Sequence, residues 1–122
     1  IPITLVVLLD DVDDDNGPLI VVPKTHHEIL DCYYDERSAY PLLCTKDEIV
    51  TEQVKKNGTV SFVGKKGEAY LFHSCILHSS LDNNSDRDRK QLYFTYNTFE
   101  NRPYKSEGRR NWWNSAHDWS WI

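Results

Sequence analysis

Residues 3–9, Ile-Thr-Leu-Val-Val-Leu-Leu, form a run of β-branched and leucine side chains with a single hydroxyl in it. The run is far shorter than the roughly 20 apolar residues that span a bilayer. Its β-branched content favours strand over helix. A strand apolar at nearly every step has both faces covered, so the chain has to build a layered β structure around it.

The rest of the sequence agrees. The run breaks at Asp10-Asp11-Val12-Asp13-Asp14-Asp15-Asn16-Gly17-Pro18, whose residue types favour side-chain-to-backbone bonds and positive φ. Residues 19–22 read as a second strand, stopped by Pro23. Thr25-His26-His27-Glu28 has capping-box spacing and predicts a short helix, with Glu28 as the partner of Thr25. Residues 31–46 show no period and read as a loop. Thr45-Lys46-Asp47-Glu48 repeats the capping box, and Ile49, Val50 and Val54 give the helix it starts an apolar side. Lys55, Lys56 and Gly58 suit the end of that helix. Strands are then expected over residues 59–63, 68–73 and 91–97, with turns at 64–67 and 82–88. The expected class is mainly β, a sandwich or barrel with two short helical interruptions.

The length of 122 residues fits one small domain or a piece of a larger one. A net charge of −5 disfavours a dedicated nucleic-acid surface. No stretch is apolar enough to cross a membrane, and the start lacks the features of a signal peptide. Three widely spaced cysteines, Cys32, Cys44 and Cys75, fit a reducing, intracellular and cytoplasmic setting better than a disulfide scaffold. The chain begins with Ile1 rather than Met, which reads as a processed, engineered or partial polypeptide.

The acidic run invites calcium, yet a calcium loop opened at Asp11 would need Gly at its sixth position and Glu at its twelfth, where Asn16 and Val22 stand. A solvated turn is the expectation. The stronger constellation is residues 67–80, Gly-Glu-Ala-Tyr-Leu-Phe-His-Ser-Cys-Ile-Leu-His-Ser-Ser, followed by Arg89. Antiparallel pairing of the two flanking strands would bring His78 and Arg89 to one mouth of the sheet. A neutral imidazole there can ligate a transition metal, and a guanidinium can take a carboxylate bidentately. A metal beside a fixed carboxylate anchor is what a 2-oxo-acid cosubstrate requires. Arg87 shares the strand parity of Arg89 and is its rival. His73, beside Phe72 and Leu71, reads as a packing residue.

Four segments in order resemble the phytanoyl-CoA dioxygenase family of iron(II)- and 2-oxoglutarate-dependent oxygenases: residues 8–19, Val22-Pro23-Lys24-Thr25-His26, residues 67–80 and residues 84–96. The resemblance implies a double-stranded β-helix, the jelly-roll or cupin-like barrel. It implies His78 as an iron ligand and Arg89 as the residue holding the distal carboxylate of 2-oxoglutarate. His26 falls on a family histidine that is not a ligand, and Gln91 stands where a smaller residue is commoner. Thr4, which shares a face of the first strand with Val6 and Leu8, is the polar candidate there for touching cosubstrate, with core packing as its other role.

The family takes its other two iron ligands from a His-x-Asp motif upstream of residue 8, and this chain has none there. By resemblance, then, residues 1–122 are the C-terminal portion of one oxygenase barrel, incomplete in this chain, ending in a Trp-rich tail over about 98–122. The complete enzyme would use Fe(II), 2-oxoglutarate and O2 to hydroxylate an aliphatic C–H of a small-molecule or acyl substrate. A half-barrel would need its N-terminal half, a partner chain or self-association. Two alternatives stand beside this: a barrel module that has lost its iron site, and a cupin-like metal protein using His26, Glu28 and His78. The four tryptophans of the tail, Trp112, Trp113, Trp119 and Trp121, read as packing, lid or contact residues. With the loop at 31–46 they are the candidates for choosing substrate. Ser79 and Ser80 lack the Gly-x-Ser-x-Gly elbow of a hydrolase.

Overall fold

A computed structural model describes residues 2–35 and 42–101. Two three-stranded antiparallel sheets face each other. The first runs β6(Ala69–His73)–β1(Ile3–Leu8)–β8(Gln91–Tyr96), and the second β5(Val60–Phe62)–β2(Leu19–Val22)–β7(Leu77–Ser80). This is a jelly-roll arrangement whose two sheets do not close. A hairpin of β3(Cys32–Asp35) and β4(Leu42–Thr45) and the helix α1(Asp47–Asn57) complete the described elements, with 3-10 turns at Thr25–His27 and Phe99–Asn101. None of the described helices is long and apolar enough to cross a membrane.

β1 is the hinge of the packing. Thr4, Val6 and Leu8 are buried, while Ile3, Leu5 and Val7 are only partly covered. The strand is therefore covered fully on one face, not on both as its apolar run predicts. Register carries the inner face outward, since Thr4 lies opposite Phe72 and Thr95, and Val6 opposite Tyr70 and Tyr93. From the other sheet come Leu19, Val21 and Phe62, which pack with Val6 as the core. The Phe62 ring stacks on Tyr70 at 4.3 Å and meets Phe72 edge-on at 5.5 Å, so one aromatic joins the layers.

The turn between β1 and β2 is more than a solvated acidic loop. Asn16 is fully buried; its Oδ1 accepts the Asp13 N–H at 2.9 Å and its Nδ2 donates to the Asp11 carbonyl at 2.8 Å. Arg87 pairs with Asp13 at 2.7 Å and Lys65 with Asp11 at 2.9 Å. These carboxylates are occupied by bases from two other loops. Gly17 holds φ +79°, and a Cβ there would lie 2.7 Å from the Leu81 carbonyl, so the position requires glycine.

Three local expectations are corrected. Thr25 does not cap a helix. It is buried inside a single 3-10 turn, donating its hydroxyl to the Val22 carbonyl, while Glu28 instead faces Lys56 at 3.8 Å. The second helix is capped by Lys46 without a side-chain bond, because Thr45 belongs to β4. The stretch 31–46, expected as a loop, contains the β3–β4 hairpin, of which residues 36–41 lie outside the described residues. The end of α1 is as expected, with Gly58 at φ 69°. The Trp-rich tail beyond Asn101 lies outside the described residues.

Candidate functional site

β7 and β8 carry the two residues singled out by the sequence. Their connection, residues 81–90, crosses between the sheets: β7 pairs with β2 and β8 with β1. The expected antiparallel ladder between them is absent, and the two sites meet across the gap between layers. His78 lies opposite Val21, and Ser80 opposite Leu19, so both share the inner face of β7 with the core. Arg89 immediately precedes β8, two residues before Gln91, which faces the buried Leu8. Its Nη1 donates to Gln91 Oε1 at 2.8 Å and lies 3.5 Å from Ser80 Oγ. Ser80 is two residues along β7 from His78, about 7 Å at the strand rise. The structure thus brings His78 and Arg89 to one stretch of the barrel interior.

The imidazole of His78 is exposed, with Nδ1 held 2.7 Å from the Ile76 carbonyl and the ring 5.7 Å from that of Phe72. A proton on Nδ1, donated to that carbonyl, leaves the Nε2 lone pair free for a metal. What positions the strand is Thr25, whose hydroxyl accepts the Leu77 N–H at 2.8 Å.

The neighbouring bases behave differently from Arg89. Arg87 is bound to Asp13 and Lys90 to Asp88, while Arg89 forms no ion pair among the described residues, although Asp88 adjoins it in sequence. Its side-chain partners are neutral: the Ser80 hydroxyl, the Gln91 amide and the Tyr93 hydroxyl. The two arginines differ on this point: Arg87 is paired with the acidic turn, and Arg89 has no ion pair among the described residues. A partly buried guanidinium with neutral partners can receive a carboxylate. Close by, Tyr93 donates to the same Gln91 oxygen at 2.8 Å. Loss of solvent raises the Tyr93 pKa above its ordinary value, against the opposing pull of Arg89.

Thr4 lies on the inner face, its hydroxyl 2.8 Å from Ser74 Oγ and 3.4 Å from Thr95 Oγ1. It stands opposite Phe72, four residues along β1 from the Leu8–Gln91 end, about 13 Å at the strand rise. His26 packs its ring on His27 at 3.8 Å and on His73 at 5.1 Å. With Glu28 turned to Lys56, and no group of three His, Cys, Asp or Glu among the described residues able to hold a metal, the His26–Glu28–His78 triad has no structural support. His78 could supply one nitrogen to an iron ion, and the described residues do not complete a coordination set. A dicarboxylate fits better, since Arg89 has no anionic partner among the described residues. Gln91 and Tyr93 are the site residues sequence reasoning undervalued; the signal was their parity with Arg89 on β8.

The family model for Phytanoyl-CoA dioxygenase matches residues 2–91. Among curated proteins, the chain is 34% identical over 113 residues to the L-proline trans-4-hydroxylase of Streptomyces griseoviridis, covering 83% of this chain and 42% of that one. It is 29% identical over 121 residues to the ectoine dioxygenase of Sphingopyxis alaskensis, covering 90% and 40%. Among solved structures it is similar to EctD from S. alaskensis with 2-oxoglutarate and 5-hydroxyectoine, at a TM-score of 0.71, 27% identity and 91% coverage of this chain against 37% of that one. The same protein with bound Fe matches at a TM-score of 0.67. The chain spans about two-fifths of the length of these curated relatives.

Proposed function

Since this chain belongs to the phytanoyl-CoA dioxygenase family, we propose that it is the C-terminal portion of an iron(II)- and 2-oxoglutarate-dependent oxygenase barrel, with His78 as one iron ligand and Arg89 as the cosubstrate anchor. The reaction is hydroxylation of an aliphatic C–H of a small-molecule substrate with O2; iron and 2-oxoglutarate supply the oxidising chemistry when bound. The observation that carries this reading is an arginine with no anionic partner among the described residues, set on the inner face against Ser80, two residues along β7 from a histidine whose Nδ1 is tied to a backbone carbonyl. Relatives named as dioxygenase and hydroxylase support the reaction class.

This chain's own residues have three tasks. Arg89 takes the distal carboxylate of 2-oxoglutarate. His78, fixed through Ile76, offers one nitrogen. Phe72, Val21 and Leu19 furnish an apolar inner wall that keeps water from the reacting centre. Thr4 is proposed as a lesser contact on the Phe72 side, through a hydroxyl already tied to Ser74.

The remaining two ligands would enter with the upstream half of the barrel. β7 and β8 are the edge strands on the His78 and Arg89 side, and each has one unpaired edge among the described residues. One further strand on each sheet would close the barrel beside those residues. The free thiols of Cys32, Cys44 and Cys75 support an intracellular, cytoplasmic setting.

Anaerobic Fe(II) titration, read by the visible iron-to-oxoglutarate charge-transfer band, tests the reading. The 122-residue chain alone should give no band, and the chain extended upstream should give one that His78→Ala and Arg89→Ala each abolish. A band on the 122-residue chain that is lost on changing His26 or Glu28 would overturn it in favour of an internal metal site.

A further inference from the structure

Arg87, Arg89 and Lys90 sit within four residues, and the structure treats them in two ways. Arg87 and Lys90 are each held by an aspartate. Arg89 is held by Gln91, whose Oε1 accepts from Arg89 Nη1 at 2.8 Å and from the Tyr93 hydroxyl at 2.8 Å. One amide oxygen therefore gathers two donors from the inner face of β8.

The orientation of that amide is informative. Gln91 Nε2 is buried and has no hydrogen-bond partner among the described residues. A buried donor left unpaired is unfavourable, so the bonds to Oε1 decide which way the amide points. The guanidinium only donates and cannot face the NH2 end.

We propose that Gln91 is the positioning residue of Arg89: a neutral tether that fixes the guanidinium without cancelling its charge, with the Tyr93 hydroxyl pinning the tether in place. The inference rests on the reading of Arg89 as the 2-oxoglutarate anchor. A carboxylate at position 91 would hold the guanidinium more firmly and satisfy it, leaving nothing for an incoming anion. An apolar side chain would leave a long flexible base to be ordered by the cosubstrate itself. The amide avoids both.

The proposal makes stability and binding move in opposite directions. Gln91→Glu replaces an unpaired buried donor with an oxygen and adds an ion pair to Arg89, so it should leave the melting temperature equal or higher. It should weaken 2-oxoglutarate by about tenfold or more, since a charged partner now competes for the guanidinium. Gln91→Met, of similar size, should remove the Gln91 tether, leaving Arg89 only its contacts with the Ser80 and Tyr93 hydroxyls, and weaken binding by a smaller factor.

The test is an NMR titration of the chain extended upstream, free of metal, with 2-oxoglutarate, following the Arg89 Nε–Hε signal, together with melting curves for wild type, Gln91→Glu and Gln91→Met. A wild-type Arg89 signal that moves on titration, a Gln91→Glu variant at least as stable but unresponsive, and a broadened Arg89 signal in Gln91→Met would support the tether. An Arg89 response with wild-type affinity in both variants would overturn the tether while leaving the anchor intact. If the wild-type Arg89 signal ignores 2-oxoglutarate, the anchor reading itself falls, and the tether with it.

Discussion

The Thr25 hydroxyl accepts the backbone N–H of Leu77 at 2.8 Å while donating to the Val22 carbonyl at 2.8 Å, so one buried side chain ties the end of β2 to the start of β7. These residues are far apart in sequence, and the tie sets where His78 begins its strand. Thr25→Val keeps the shape and leaves the Leu77 N–H without its partner in a buried setting, at a cost of about 1–3 kcal/mol. Thr25→Ser retains the bond and should cost less. Urea denaturation of both variants checks this, and equal stabilities would contradict it.

Gly17 carries a second constraint. At φ +79°, with the Leu81 carbonyl 2.7 Å from where a Cβ would stand, alanine is both strained and crowded. Gly17→Ala should destabilise by about 1–3 kcal/mol from backbone strain alone, and by more once the contact is included. Because Leu81 begins the connection to Arg89, the Arg89 side-chain NMR signal should shift with it. Unchanged unfolding and an unmoved signal would refute the assignment.

Acid should weaken the fold in two steps. Loss of solvent, then the charges of His27 and His73, lower the His26 pKa from its ordinary 6.5. The fold therefore favours neutral His26, and that contribution is complete above pH 6.5 and is lost as pH falls from there through the folded value. The second step is carboxylic. A hydrogen bond from Arg87 holds Asp13 below 3.8, and the Lys66 N–H, with Lys65, does the same for Asp11. Their contribution is complete above 3.8 and disappears as pH falls through the lowered folded values. Urea midpoints measured against pH should show both steps, with His26→Gln removing the first and Asp13→Asn reducing the second. A midpoint that is flat through the first window would rule out the His26 contribution.

The outer face of the β6–β1–β8 sheet is apolar and open. Leu71 is 66% exposed, Leu92 46%, Phe94 43% and Tyr96 56%, with Ile3, Leu5 and Val7 between them. Together with the unpaired edges of β7 and β8, this predicts that the isolated chain self-associates. Sedimentation should show concentration-dependent mass that falls when Leu71 and Phe94 are changed to Lys. A monodisperse monomer that unfolds cooperatively would refute the prediction.

Much of this was legible before any coordinates. β1, β2, β5, β6 and β8 appear where runs of apolar or alternating residues stand, and α1 ends at its glycine. The β3–β4 hairpin was not legible because Tyr34, Leu42 and Leu43 are exposed, so no buried face imposed a period. Thr25 was misread for a different reason. Its spacing to Glu28 is that of a capping box, and only a strand about fifty residues away in the chain reveals what its hydroxyl serves. His78 and Arg89 were singled out by residue type, interval and family resemblance, but the ladder expected between them was wrong, since local sequence does not say which sheet a strand joins. Gln91 was visible only as a departure in size; its bonds to Arg89 and Tyr93 belong to the folded site.

β1 is the central strand of its sheet, and both of its neighbours, β6 and β8, come from the other end of the chain. Among the described residues, the nearest partners of the Leu8 backbone in the chain are Gly67 and Glu68. During synthesis β1 therefore emerges well before either partner: one edge can be paired only after residue 73 is made, and the other only after residue 96. The strand with the most apolar run in the described residues thus waits for distant partners, and pairing across such long intervals makes the folding of this sheet slow.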